Sequence, residues 1–157
     1  MKIEVWTIGK CAHYYLNSGI EQYCSKLKHY TSFGYTEFTE PKSMRTADKS
    51  HSIKLQSDLM LSKLLPGDHL ILLDDKGKEF TSIGFSVFLN KIMINSNKRA
   101  VFLIGGAFGF DESLYTRANE KISLSKLTFS HDMVRLILLE QLYRGFTILR
   151  NEPYHHE

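Results

Sequence analysis

Two short, unbroken apolar runs, at residues 70–73 and 101–104, limit most strongly what this chain can fold into. A strand without polar alternation must be covered on both faces, which is typical of the central strands of a parallel sheet. The first run ends at Asp74-Asp75 and the second at Gly105-Gly106. We therefore expect a mainly parallel sheet flanked by helices.

The remaining elements follow from hydrophobic periodicity and turn signals. Further strands are predicted at residues 3–8, 35–39 and 122–124. Helices are predicted over residues 13–30, 55–64, 82–92, 111–118 and 131–148, with Thr81 or Ser82 and Asp111 at helix starts. Residues 41–52 are polar and without period, which indicates a mobile loop or a weak helix start, and residues 74–77 read as a turn. Strands that alternate with helices indicate an α/β fold.

The last predicted helix is apolar almost all round. A terminal helix cannot bury every side against one sheet, so a second surface is needed, and a symmetric homodimer through this helix supplies it. Arg135, Glu140, Gln141 and Arg144 interrupt the apolar pattern. They form either an interface ion pair or a site in which an arginine faces an anionic substrate.

Length and composition bound the remaining possibilities. The 157 residues, 43% of them hydrophobic, suffice for one domain over residues 1–157. A net charge of +3 excludes binding to nucleic acid through charge alone but permits an RNA partner. Cys11 and Cys24 are expected to be reduced thiols in a cytoplasmic protein, because no export signal and no apolar stretch of roughly 20 residues is visible.

The expected binding site lies at the carboxyl ends of the strands, where open α/β sheets bind ligands. The glycine-rich loop after residue 104 matches neither a P-loop nor a dinucleotide fingerprint. It is either a plain turn or a place where backbone approaches a flat ligand such as adenosine. No metal-binding cluster is apparent. The residues alone therefore indicate a dimeric α/β protein with a nucleotide-like pocket.

The histidines carry little signal by themselves. Those at positions 13, 29, 51 and 69 are expected on the surface or in the core, and His131 at a helix start. His155 and His156 lie so near the chain end that composition predicts disorder for them.

Three segments resemble a known family: FLIGGAFGF at 102–110, SLSKLTFSHDMVRLILLEQLYRGF at 123–146 and PYHHE at 153–157. They are similar to the RlmH (YbeA-like) methyltransferases, a minimal branch of the SPOUT superfamily, and the resemblance covers the whole chain. Members of that family methylate N3 of a pseudouridine in helix 69 of 23S ribosomal RNA with S-adenosylmethionine. The resemblance implies a C-terminal trefoil knot, an exception to ordinary chain topology. It also implies a homodimer in which one subunit's tail lies near the other's pocket.

The resemblance also assigns residues by position. It implies an S-adenosylmethionine site made of Leu73, Gly105, Leu124, Ser125, Lys126, Leu127, Thr128 and Phe129. Arg144, Tyr154 and His155 match the substrate-side residues. His155 is the candidate general base, because an imidazole titrates near neutral pH. Arg144 could hold a phosphate or a developing anion, and Tyr154 could stack on the base, but these roles are interchangeable on the sequence alone.

Some positions depart from the family pattern. Ser130 and Asp132 replace the usual proline and glutamine, and His156 replaces a usual lysine or arginine, which removes a positive charge from the tail. With no separate RNA-binding domain and little net charge, we expect the substrate to be the assembled 70S ribosome rather than naked RNA.

Two other classes of function stay open at this stage. A dimeric α/β module could bind a nucleotide or RNA without catalysis, although the Tyr154-His155 pair would then have no evident use. A SPOUT methyltransferase with a different target, such as tRNA, usually brings an RNA-binding extension, which is not expected here.

Overall fold

The structure, a computed structural model, describes residues 1–95 and 98–156, over which five parallel strands form one sheet. The strands are β1 (Lys2–Ile8), β2 (Ser32–Phe38), β3 (Asp68–Lys78), β4 (Arg99–Ile104) and β5 (Glu120–Ile122). Their order is β2-β1-β4-β3-β5, so both unbroken apolar runs lie in interior strands, as predicted. β2 begins three residues before its predicted start, and β5 two residues before.

Six helices, within the same described residues, cover the two faces of the sheet. They are α1 (Tyr14–Leu27), α2 (Lys42–Thr46), α3 (Lys49–Lys63), α4 (Ser82–Asn95), α5 (Glu112–Arg117) and α6 (Met133–Leu149). One core, which contains Ile71 and Phe102, is closed by α1, α4 and α6. A second core, which contains Leu72 and Leu103, is closed by α2, α3 and α5. The predicted α/β fold is therefore confirmed.

The polar segment 41–52 folds into α2 and the start of α3. Met44 of α2 is buried in the second core, and the Asp48 carboxylate accepts a hydrogen bond from the His51 backbone N–H at 2.8 Å. Of the two sequence interpretations, the helix start is confirmed and the loop is wrong. One buried methionine and one capping aspartate outweigh the polarity of the rest. Thr81 and Asp111 cap α4 and α5 as predicted.

The predicted turn at 74–77 does not end the strand, because β3 continues to Lys78. Leu73 and Lys78 both pair with Ile122 of β5, so the extra residues of β3 form an irregularity in the ladder. Gly77 crosses β5 so closely that an added Cβ would lie 2.4 Å from the Ile122 carbonyl carbon. The four residues look like a turn locally and bulge out of the ladder, but pairing with β5 resumes at Lys78 and the strand continues.

Helix α6 lies between α1 and α4 as well as against the sheet. Two glycines allow the close approach: a Cβ at Gly19 of α1 would lie 2.9 Å from Leu136, and one at Gly145 would lie 2.5 Å from Leu89. The sequence argument for a dimer counted only the sheet as a partner, whereas two helices also take up apolar surface of α6. The homodimer stays a prediction.

Replacing Gly77 with alanine tests the close crossing of β3 and β5. We expect Gly77→Ala to lower the free energy of unfolding by about 2–4 kcal/mol, because the clash is with backbone that cannot rotate away. Gly67→Ala is the matched control. A Cβ there meets nothing within 4 Å, so that variant should be neutral or more stable by up to about 1 kcal/mol. Urea unfolding measures both, and equal midpoints for the two variants would contradict the crossing.

Candidate functional site

A cleft of about 880 Å³ opens at the edge of the sheet beyond Leu73 and Ile104, where the pairing of β3 with β4 stops. It is walled by the residues after Leu73, the glycine loop after β4, and the segment between β5 and α6. All eight residues predicted to hold a cofactor border it: Leu73, Gly105, Leu124, Ser125, Lys126, Leu127, Thr128 and Phe129. The structure therefore gathers these residues at one site, and what binds there stays a prediction.

The glycine loop makes a tight turn at the base of the cleft. Gly106 and Gly109 form an antiparallel bridge, and Gly109 has a φ of +77°, which favours glycine. At Gly105 an added Cβ would lie 2.8 Å from the Phe110 ring. The loop is thus a turn for a structural reason, and it also presents the backbone of Gly105 and Gly106 at the cleft wall.

The segment between β5 and α6 forms the opposite wall and is ordered by its own serines. The Ser123 hydroxyl donates to the Ser125 carbonyl, and the Ser125 hydroxyl accepts from the Leu127 N–H, both at 3.0 Å. Leu127 is 75% exposed, and the aromatic rings of Phe108 and Phe129 also reach solvent at the cleft. Exposed apolar side chains in a concave site suit a flat, partly apolar ligand.

Two neighbouring carboxylates, Asp74 and Asp75, border this mainly apolar cleft, and Asp74 is the less exposed of them. Asp74 accepts hydrogen bonds from the Tyr115 hydroxyl and from the Lys76 backbone N–H. Burial alone would raise the pKa of Asp74, but these hydrogen bonds hold it below its usual range. Burial and the Asp74 contact raise the pKa of Tyr115 to about 12. Asp74 was predicted only as part of a turn, and no pattern in the sequence pointed to Tyr115.

The three predicted substrate-side residues form a second cluster, organised by Arg144. The Arg144 guanidinium lies 4.8 Å from the centre of the Tyr154 ring, and its Nη1 is 3.3 Å from Nδ1 of His155. Its Nε and Nη2 donate to one carboxylate oxygen of Glu140, at 3.1 and 2.6 Å. This bond to Glu140 raises the pKa of Arg144.

Glu140 and Tyr23 complete the cluster. The Tyr154 hydroxyl donates to Glu140 at 3.0 Å and lies 3.3 Å from the Tyr23 hydroxyl. Burial raises the pKa of Tyr154, and the hydrogen bonds to Tyr23 and Glu140 raise it further. Glu140 was predicted only as a polar residue of the last helix. Its spacing of four residues from Arg144 was the available signal, whereas nothing pointed to Tyr23.

The chain end is tethered rather than disordered, which corrects the expectation from composition. Asn151 takes a φ of +55° just after α6, a common way to end a helix. The Glu152 N–H then donates to the Thr147 carbonyl at 2.9 Å, and the Tyr30 hydroxyl donates to the Glu152 carboxylate. These contacts fold the tail back over α1 and α6, and Tyr154 and His155 become half-buried.

The two clusters do not meet within one chain. None of Arg144, Tyr154 and His155 borders the cleft. The structure thus brings the predicted substrate-side residues together with one another, but not with the predicted cofactor residues.

Arg135, the second arginine that interrupts the apolar pattern of α6, has a structural role. It is 1% exposed, and its guanidinium donates to Glu37 at 2.9 Å and to the Gly9 carbonyl at 3.1 Å. His131, at the expected helix start, borders the cleft and places Nε2 3.2 Å from the Ile8 carbonyl. Both therefore hold the α6 end of the cleft wall against β1.

Cys11 and Cys24 are free thiols, as predicted, and burial raises the pKa of Cys24 to about 11. In residues 1–95 and 98–156 no three histidine, cysteine or acidic side chains are grouped so that they could hold a metal ion. Nor is any helix in those ranges long and apolar enough to cross a membrane.

Comparison with known proteins gives a consistent result. The family described as "Predicted SPOUT methyltransferase" matches residues 1–155. Proteins named "Ribosomal RNA large subunit methyltransferase H" are similar over essentially the whole chain. Those of Parabacteroides distasonis and Cytophaga hutchinsonii are both 48% identical, over 100% and 99% of this chain and 100% of their own length. That of Flavobacterium johnsoniae is 47% identical over 100% of both chains.

Arg144, Tyr154, His155, Glu140 and Tyr23 are called the tail cluster below. Its role in holding the C-terminal tail can be tested without any assumption about catalysis. Glu140→Gln removes the charge that holds Arg144 and weakens the Tyr154 contact, so docking of the tail should weaken by about 1 kcal/mol, which is roughly fivefold. Carboxypeptidase should therefore remove residues past Tyr154 roughly fivefold faster in this variant than in wild type. Mass spectrometry measures the rate. Glu112→Gln, on the exposed surface of α5, is the control. Equal trimming rates in both variants would mean that Glu140 does not hold the tail.

Proposed function

We propose that this chain, which belongs to the SPOUT methyltransferase family, methylates large-subunit ribosomal RNA with S-adenosylmethionine as the methyl donor. The observation that carries the proposal is the gathering of eight predicted cofactor residues around one cleft. The names of full-length relatives at 47–48% identity support ribosomal RNA as the substrate. The specific target proposed is N3 of a pseudouridine in helix 69 of 23S ribosomal RNA, in the assembled 70S ribosome.

The cleft fits S-adenosylmethionine in size and in the chemistry of its walls. Its volume of about 880 Å³ lies in the usual range for small-molecule sites, roughly 300–1,000 Å³. Leu124, Leu127 and Phe129 would pack on the adenine, and backbone groups of the segment 124–129 and of Gly105 would hydrogen-bond its edge. When bound, the group supplies an electrophilic methyl attached to a positively charged sulfur. The chain's own contribution is to align the acceptor with that methyl, which supplies much of the acceleration.

The tail cluster supplies the groups that the acceptor needs. N3 of pseudouridine is an imide nitrogen and must lose its proton to attack, and His155 is proposed to take that proton. Because a guanidinium can only donate, the Arg144 contact uses Nδ1 of His155 as acceptor, which leaves the ring proton on Nε2. His155 can therefore accept a proton at Nδ1 once Arg144 turns toward the RNA. Arg144 would then hold a phosphate or the developing anion on the base.

Tyr154 is proposed to stack on the pyrimidine ring. Its ring already lies face-on to the Arg144 guanidinium, and aromatic and guanidinium planes are the usual platforms for an unstacked RNA base. Its hydroxyl is committed to Glu140 and Tyr23, which fixes the ring without using its face. A role in stacking therefore fits Tyr154 better than a role in proton transfer.

The separation of the two clusters supports a homodimer as the active form. If the tail of one chain reaches the cleft of its partner, each active site combines the cleft of one subunit with Arg144, Tyr154 and His155 of the other. We propose this arrangement, together with a trefoil knot formed by the segments around the cleft. The half-buried outer side of α6 is the proposed interface.

The decisive experiment transfers labelled methyl from S-adenosylmethionine to 70S ribosomes from cells that lack this activity. Label should appear at the helix 69 pseudouridine. His155→Gln, which keeps polarity but cannot act as the base, should lower the single-turnover rate by about 100-fold or more with unchanged cofactor affinity. His156→Gln, the exposed neighbour, should behave as wild type.

Several outcomes would contradict the proposal. Unchanged turnover in His155→Gln would remove the base assignment, and equal rates on naked ribosomal RNA would remove the need for the assembled ribosome. Cofactor binding without transfer to ribosomes would point to a different RNA target. No cofactor binding at all would leave a non-catalytic binding module.

Mixed dimers test the shared active site. Leu127→Asp places a charge in the cleft wall at a 75% exposed position, so it should block the cofactor without unfolding the chain. Leu127→Asp should be inactive alone, and His155→Gln should be nearly so. Random exchange of the two variants should restore about a quarter of wild-type activity, because half of the dimers contain one intact combined site. No recovery in verified mixed dimers would mean that each tail serves its own cleft.

A further inference from the structure

Asp74 is a charged group that the proposed chemistry does not use, although it stands in the cleft. It directly follows Leu73, which pairs with Ile104 of β4. Asp74 and Gly105 therefore each follow the last pair of that ladder, and both border the cleft. Asp74 thus lies at the cleft wall, beside a backbone position assigned to the cofactor.

The side chain is fixed in place as a carboxylate. One oxygen accepts from the Tyr115 hydroxyl and the other accepts from the Lys76 N–H at 2.8 Å. A carboxylate has about four acceptor positions, so these two bonds do not use its whole capacity. The Tyr115 ring is itself held, with Lys121 Nζ 5.4 Å from its centre. A rigid anion with spare acceptor capacity at a ligand site attracts a cation.

We infer that Asp74 recognises the positive charge of the methyl donor and so makes the cleft prefer S-adenosylmethionine over S-adenosylhomocysteine. The inference rests on the proposed function. Methyl transfer moves CH₃ from sulfur to nitrogen, and the sulfonium becomes a neutral thioether while the acceptor gives up its N–H proton. The two ligands differ by that methyl and one positive charge. A fixed anion at the cleft wall therefore binds the donor more tightly than the spent form and favours release of the product.

The remaining charges of the cleft are consistent with this assignment. Lys49, Lys76 and Lys126 also border the cleft, and any of them can serve the carboxylate of the ligand's amino-acid end. Lys49 lies 5.3 Å from the centre of the Phe108 ring, on the glycine-loop side. Asp75, the neighbouring acidic residue, is exposed, so it is hydrated and contributes less. Asp74 is the acidic group of the cleft that hydrogen bonds hold in place, among the residues that the structure describes.

Calorimetric binding of the two ligands to the full-length protein tests the inference without any measure of activity. Wild type should prefer S-adenosylmethionine, and Asp74→Asn should weaken its binding by about tenfold, as expected for loss of a short-range attraction between opposite charges. S-adenosylhomocysteine should bind Asp74→Asn almost as it binds wild type. Glu79→Gln removes an exposed negative charge that does not border the cleft, and it should leave both affinities unchanged.

The salt dependence of the wild-type protein gives a second measurement, which does not depend on whether Asp74→Asn folds. Raising the salt concentration from about 0.05 M to about 1 M shortens the screening length to about 3 Å, so the preference should shrink. A preference that survives both high salt and Asp74→Asn would overturn the inference while the cofactor assignment stands. A wild-type protein that binds neither ligand would instead overturn the proposed function.

Discussion

The buried guanidinium of Arg135 is the interaction on which the site end of the molecule depends. Although Arg135 belongs to α6, its side chain reaches the carboxyl ends of β1 and β2. It donates to the Gly9 carbonyl and the Glu37 carboxylate, and it pairs with Asp132 at 3.4 Å. A buried charge is tolerated only when its donors are satisfied, so each of these partners has to stay where it is. The arginine thereby fixes the start of α6, and with it one end of the cleft wall, to the sheet.

The network around Arg135 extends to the loop after β1. Glu37 also accepts from the Cys11 N–H at 3.3 Å and from the Tyr35 hydroxyl at 3.0 Å. Asp132 accepts from the Ala12 N–H at 3.1 Å. Backbone groups left by the ends of β1 and β2 are thus satisfied by side chains from distant parts of the chain. A cleft lined largely by irregular backbone needs such support, because its own segments form few regular hydrogen bonds.

The sequence was sufficient for the fold class because the decisive patterns are local. The apolar runs of β3 and β4 identify interior strands wherever they occur, and Thr81 and Asp111 cap helices through contacts within three residues. It was insufficient where a distant partner decides. Residues 74–77 have turn chemistry and bulge, but β3 continues past them because Ile122, which lies 45 positions beyond Gly77, pairs with both Leu73 and Lys78. Asp74 was missed for the same reason, because its partner Tyr115 is brought near only by the folded chain.

The residues of the candidate site also differ in whether the sequence alone could identify them. The eight predicted cofactor residues were identified by the family resemblance. The glycine pattern alone could not identify them, because a plain turn and a ligand-binding loop have the same pattern in the sequence. The tail cluster came from the resemblance as well. Tyr23 of α1 could not have been found from sequence, because its contact with Tyr154 spans 131 positions. Glu140 could have been predicted from the sequence, because it lies four residues before Arg144 on the same helix.

The departures of this chain from the family pattern have a physical account in the structure. Ser130 stands where proline is usual, and its hydroxyl accepts from the Met133 N–H at 3.2 Å, so it satisfies a free donor at the start of α6. Asp132 stands where an amide is usual. Its carboxylate adds a second negative partner for Arg135 while it still accepts from the Ala12 N–H. Both residues lie in the segment that joins the cleft wall to α6, and the contacts of both attach that segment to the rest of the fold.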